Sequence, residues 1–174
     1  MDPLNWQALI LKYRNTLSTI IQLSSVMPPL ITDKPLLGPL ICLSSWTFIM
    51  EALLYKRRIP AISQYGVTLD DPATAKEQLE EKLPPFVQWA ADNYNHLLEQ
   101  PTQFYAAMLA LSMMDVKDKT TVGLAWSYVG LRLFHSVVHV STNNLHLRFP
   151  AFVASSIVLA SITAKAAWVL IKTN

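Results

Sequence analysis

At 174 residues, 52% hydrophobic and 15% charged, with a mean hydropathy of +0.28, the chain is more apolar than an ordinary soluble domain and reads as a small membrane protein. Its net charge of +2 is spread without a lysine or arginine block long enough to grip phosphates, which excludes nucleic acid as a partner. A lone cysteine, Cys42, excludes a disulfide framework and a cysteine-rich metal site.

The N-terminus, MDPLNWQALILKYRN, carries an acid at position 2 and no basic head, so it is a poor secretory signal; Lys12, Arg14 and scattered hydroxyls leave a transit sequence open. Over residues 4–27, Trp6, Leu9, Ile10, Tyr13, Leu17, Ile20 and Ile21 recur near helical spacing between Lys12, Arg14, Asn15 and Gln22. Charges this frequent suit an amphipathic helix on a membrane or partner better than one through a bilayer. Pro28, Pro29 and Pro35 end it, and residues 1–34 form an extension ahead of a membrane domain over 35–174.

The first span is expected at about 36–55, closed by Lys56, Arg57 and Arg58, with Glu51 as an interfacial acid able to pair with that cluster. A polar, water-exposed loop over 56–85 follows, with a short helix starting at Asp71–Pro72. The second span, about 86–114, carries Asp92, His96, Glu99 and Gln103 as one stripe, and Pro101 is expected to kink it just beyond Glu99. The third, about 121–142, places Arg132, His135, Ser136 and His139 at i, i+3, i+4 and i+7. A polar turn leads to Arg148 and a fourth span at about 149–171, whose alanines and serines suit close helix contact, including contact between subunits. The fold expected is therefore an all-α, multi-pass four-helix membrane bundle with an extra N-terminal amphipathic helix. The Lys56–Arg58 cluster tips the positive-inside rule toward a cytosolic loop 56–85.

An arginine at mid-membrane costs roughly 2.5–3.5 kcal/mol on insertion scales, so the Arg132 stripe must face the bundle interior or a wet cavity. Depth counted along antiparallel second and third spans sets Glu99 level with Arg132, His96 with His135, Asn95 with Ser136, and Asp92 with His139. The expected result is a polar seam in which Glu99 neutralises Arg132.

At these residues the chain resembles the family of membrane-associated proteins in eicosanoid and glutathione metabolism, over about 36–171. The likeness rests on NYNHLLEQPTQFY in the second span and on AWSYVGLRLFHSVVHV followed by Arg148. The resemblance implies a homotrimer with sites between subunits near the cytosolic face, where glutathione binds in a bent shape. By that analogy Arg148 or Arg132 stabilises its thiolate, Glu99 holds its amine, and Arg57 or Arg58 meets its carboxylates. His96, Asn95, His135, Ser136 and His139 line the rest. The chain departs from the family pattern at Asp92 and His96, where an arginine and an asparagine are expected, and at His139 and Phe152, where tyrosines are.

Two functions follow as expectations. One is a glutathione-dependent transferase or peroxidase working on lipophilic electrophiles. The other is a non-catalytic scaffold or accessory subunit that docks a protein partner through its N-terminal helix. A third, a metal held by His96, Glu99, His135 and His139, is disfavoured because Arg132 in the same stripe repels a cation. The membrane expected is the endoplasmic reticulum or another organelle in a eukaryote, and the inner membrane in a bacterium.

Overall fold

A computed structural model describes residues 34–173, and they are all helix and connection. The amphipathic helix expected over 4–27, and with it the extension 1–34 up to residue 33, lies outside the described residues. The first described helix, α1, runs Leu37–Gln64. It does not stop at the basic cluster as expected, because nothing at Lys56–Arg58 breaks a helix. The stop comes at Gly66, whose φ of +60° lets its own N–H reach Ser63 O and the N–H of Val67 reach Ile62 O at 3.0 Å. Glu51 accepts from the Tyr55 hydroxyl at 2.8 Å and makes no ion pair with the cluster among the described residues.

Helix α2, Pro72–Lys82, starts where the Asp71–Pro72 signal places it, with Asp71 Oδ1 accepting from the N–H of Ala73 at 2.9 Å. Gln78 Oε1 accepts from both the N–H and the hydroxyl of Thr68, which ties α2 to the end of α1. The stretch expected as one kinked span is two helices, α3 (Pro85–Glu99) and α4 (Pro101–Met113), separated by Gln100. Pro101 brings no N–H to the helical ladder, so the break falls where the sequence puts it. Helix α5 covers Lys119–Ser141. Helix α6, Leu145–Thr173, begins four residues before the expected Phe149, because Asn144 accepts the N–H of His146 on its side chain and that of Arg148 on its carbonyl. Arg148 therefore lies in the first turn of α6.

Asp118 caps α5, accepting from the N–H of Thr121 at 3.0 Å and from its hydroxyl at 2.8 Å, with Lys165 of α6 3.6 Å away. Those two hydrogen bonds, then the lysine, hold its carboxyl below the usual carboxylate range. Asp118→Ala is expected to cost about 1 kcal/mol in thermal unfolding. A pKa lower in the folded state contributes stability above the unfolded value and loses it as pH falls through the folded one. The gap between wild type and variant is therefore expected to close below the ordinary carboxylate range.

The core is drawn from every long helix: Leu43 and Met50 of α1, Leu97 of α3, Phe104, Met108 and Leu111 of α4, Tyr128 and Val129 of α5, and Leu159 and Ile162 of α6. Phe104 stacks on Tyr128 with centroids 4.4 Å apart. Helix α5 packs most extensively on α6, and α1 on α3. Large apolar side chains such as Phe48, Ile59, Phe134, Ile157 and Ile171 are exposed on the outside. Among the described residues two helices, Leu37–Gln64 and Leu145–Lys172, are long and apolar enough to cross a membrane.

Candidate functional site

Helix α5 turns its polar stripe inward, as the cost of exposing an arginine to lipid requires: Arg132 is 1% exposed, and His135, Ser136 and His139 are buried too. His96 of α3 reaches the same place. Its ring lies 6.0 Å from that of His135 and 5.7 Å from that of His139, and Phe152 of α6 closes the group at 6.3 Å from His96 and 6.1 Å from His135. The Arg132 guanidinium sits between two aromatic faces, 5.4 Å from Tyr128 and 5.2 Å from Phe152, and its Nε donates to the Tyr128 hydroxyl at 3.1 Å. Both Nη atoms of Arg132 lack a hydrogen-bond partner among the described residues, as do the Ser136 hydroxyl and Nδ1 of His139.

A cavity of about 170 Å³ opens beside this group, lined by His96, His135, Leu145, Arg148, Phe149 and Phe152. Arg148 is half-buried, and its Nη1 donates to Asn143 Oδ1. Asn143 takes φ +51° in the turn between α5 and α6, a conformation asparagine tolerates better than most residues, so the turn itself sets the arginine's anchor.

The expected pairing of Glu99 with Arg132 is not formed within the chain. Glu99 leaves its carboxylate two-thirds exposed and 3.2 Å from Nδ1 of His96, while Arg132 stays inside against Tyr128. Equal depth on two helices does not give equal azimuth. The buried face of α3 is Val87, Ala90, Ala91, Asn93 and Leu97, so Asp92 and Asn95 point away from α5. Both line a different cavity of about 590 Å³, with Arg58, Lys76, Glu80 and Tyr94. Their expected levels with His139 and Ser136 are corrected accordingly.

A family model described as the MAPEG family matches residues 36–168. The chain belongs to the MAPEG family. No curated protein and no solved structure matches it. The resemblance read from the second and third hydrophobic segments is borne out, and with it a membrane protein of the glutathione and eicosanoid metabolism kind.

Within this MAPEG chain, the residues drawn from the family pattern divide into three places. His96, His135, Ser136, His139, Arg132 and Arg148 gather around the smaller cavity or directly behind it. Asn95 and Arg58 belong to the larger cavity, where Nε of Arg58 is buried without a partner among the described residues. Arg57 stands apart from both cavities: its Nη1 donates to Phe86 O at 2.9 Å and to Val140 O at 3.0 Å, fastening the start of α3 and the end of α5 to α1. Among the described residues no group of three His, Cys, Asp or Glu side chains is arranged to hold a metal ion, and the rings cluster edge to face instead.

Two buried residues escaped the sequence reading. Asn93, and not the expected Asn95, is on the core-facing side of α3: it is 1% exposed, with neither amide atom partnered among the described residues. Its spacing from Ala90 and Leu97, i+3 and i−4, was the available signal. Tyr128, four residues before Arg132, is the hydroxyl that fixes the guanidinium.

Proposed function

We propose that this MAPEG protein is a glutathione-dependent transferase or peroxidase. It acts on lipophilic electrophiles at a site between subunits of a homotrimer of four-span, multi-pass chains, in an organelle membrane or a bacterial inner membrane. The observation that carries the reading is the cavity flanked by Arg148 and backed by a buried arginine whose terminal nitrogens have no partner among the described residues. Two cations beside a partly apolar hollow favour an anion, and a nearby cation lowers a thiol's pKa. Glutathione would supply the nucleophilic thiol. On this reading Arg148 holds the sulfur as thiolate, and Arg132 adds positive field from behind Phe152. Imidazoles of His96 and His135 line the approach, and Glu99 is open to take the amine.

Size supports the subunit-interface part of the proposal. About 170 Å³ is less than the roughly 300–1,000 Å³ usual for small-molecule pockets, so one chain accommodates the thiol end only. The remaining tripeptide-binding groups, Arg58 and Asn95 on the other face of α3, come from a neighbouring copy on this reading. Leu145, Phe149 and Phe152 give the same cavity an apolar wall, which suits an electrophile arriving from lipid.

Purified protein assayed with an activated aryl halide and a lipid hydroperoxide is expected to turn over both only with glutathione. At a hundredfold excess over Kd, glutathione is expected to stabilise the fold by about 2.7 kcal/mol. No turnover with either substrate and no glutathione-dependent thermal shift would overturn the reading. An intact oligomer that lost a co-purifying protein when residues 1–33 were deleted would then favour the accessory-subunit role.

A further inference from the structure

The basic end of α1 carries a second feature that the thiol site does not use. Between the last turns of α1 and the start of α3 lies a groove of about 500 Å³, lined by Leu53, Lys56, Arg57, Pro60, Gln64 and Phe86 among others. Its two cations stand differently. Arg57 is half-buried, with Nη1 fixed to two backbone carbonyls, whereas Lys56 is exposed and has no ion-pair or hydrogen-bond partner among the described residues. The nearest acid on the helix, Glu51, is engaged by Tyr55. Arg58 lines the other cavity, so Lys56 and Arg57 are the charges this groove presents.

Depth matters here. Leu53 belongs to the apolar part of a helix able to cross a bilayer, and Lys56 follows at its polar end, so the groove straddles the level where acyl chains meet headgroups. Phe86, 51% exposed, offers an apolar wall beside the cations. A cationic pocket next to apolar surface at that level matches one chemistry: a phosphate with a hydrocarbon tail. We infer that this groove binds the headgroup of an anionic phospholipid, with Lys56 and Arg57 on the phosphate and Leu53, Pro60 and Phe86 along the first part of an acyl chain. The same cluster is the one that tips the positive-inside rule toward the cytosol for this side, and the cytosolic leaflet carries the anionic lipids.

The test uses the full chain in neutral detergent, with phosphatidylglycerol or phosphatidylcholine of identical acyl chains added, and lipid retention read by native mass spectrometry alongside the melting temperature. Phosphatidylglycerol is expected to be retained in preference to phosphatidylcholine and to raise the melting temperature. Lys56→Gln is expected to weaken that preference about fivefold, the effect of one juxtamembrane cation, and Lys56→Arg to keep it. Because Lys56 is exposed and has no partner among the described residues, both variants are expected to fold, and an unchanged melting temperature without lipid checks that. Equal retention of the two lipids, or an undiminished preference in Lys56→Gln, would overturn the assignment. So would inorganic phosphate shifting the melting temperature as far as phosphatidylglycerol does, since the groove would then recognise a free anion.

Discussion

Arg148→Gln is expected to lower kcat/KM for glutathione conjugation by about 10²–10³-fold, the usual cost of removing one preorganised group from a developing or held anion. Stability is expected to change little, because glutamine can still donate to Asn143 and the position is only half-buried. Steady-state kinetics on the purified oligomer, with a melting curve of the same sample, separates the two quantities. A loss confined to KM would mean that the arginine merely binds the peptide; a loss in kcat that shrinks as pH rises is the mark of a thiolate-holding cation, since alkali ionises the thiol without help. Unchanged kinetics would remove Arg148 from the site.

Phe104→Ala is expected to be the most damaging single change to the fold, costing about 3–5 kcal/mol. Phe104 is fully buried and lies stacked on Tyr128, and Tyr128 supplies the hydroxyl that holds Nε of Arg132. A hole at 104 lets Tyr128 shift, and the buried guanidinium then loses both a hydrogen bond and an aromatic face. Phe104→Leu, which keeps most of the volume, is expected to recover most of the melting temperature. If alanine and leucine at this position melted alike, the volume filled at 104 would not be what holds Tyr128, and through it the arginine, in place.

Helices and their inward faces were largely legible in the residue pattern; azimuth and pairing were not. The i, i+3, i+4, i+7 spacing of Arg132, His135, Ser136 and His139 pointed to a buried stripe, and all four are buried. Pro101 marked its own break, and Asp71–Pro72 its own start. The end of α1 was misplaced because a basic cluster marks a change in polarity, whereas a helix stops where the backbone can turn, here at Gly66. Pairing Glu99 with Arg132 failed for a related reason. Counting residues gives depth along an axis, but which side chains meet also depends on helix rotation, and that was set by Ala90, Asn93 and Leu97 facing the core. The family pattern in the second and third hydrophobic segments carried further than either count, since it depends on residue identity at fixed spacing and not on a guessed rotation.

The arrangement therefore poses one chemical question: whether cations around the α3–α5–α6 cavity keep a bound thiol ionised. The ultraviolet difference spectrum on adding glutathione to the purified protein near neutral pH answers it, because thiolate absorbs where the thiol does not, and free thiols near pKa 8.5 are mostly protonated there. A thiolate band that saturates with glutathione in the wild type, and appears only at higher pH in Arg148→Gln, is the result expected. Saturated binding with no band, or an identical band in the variant, would contradict it.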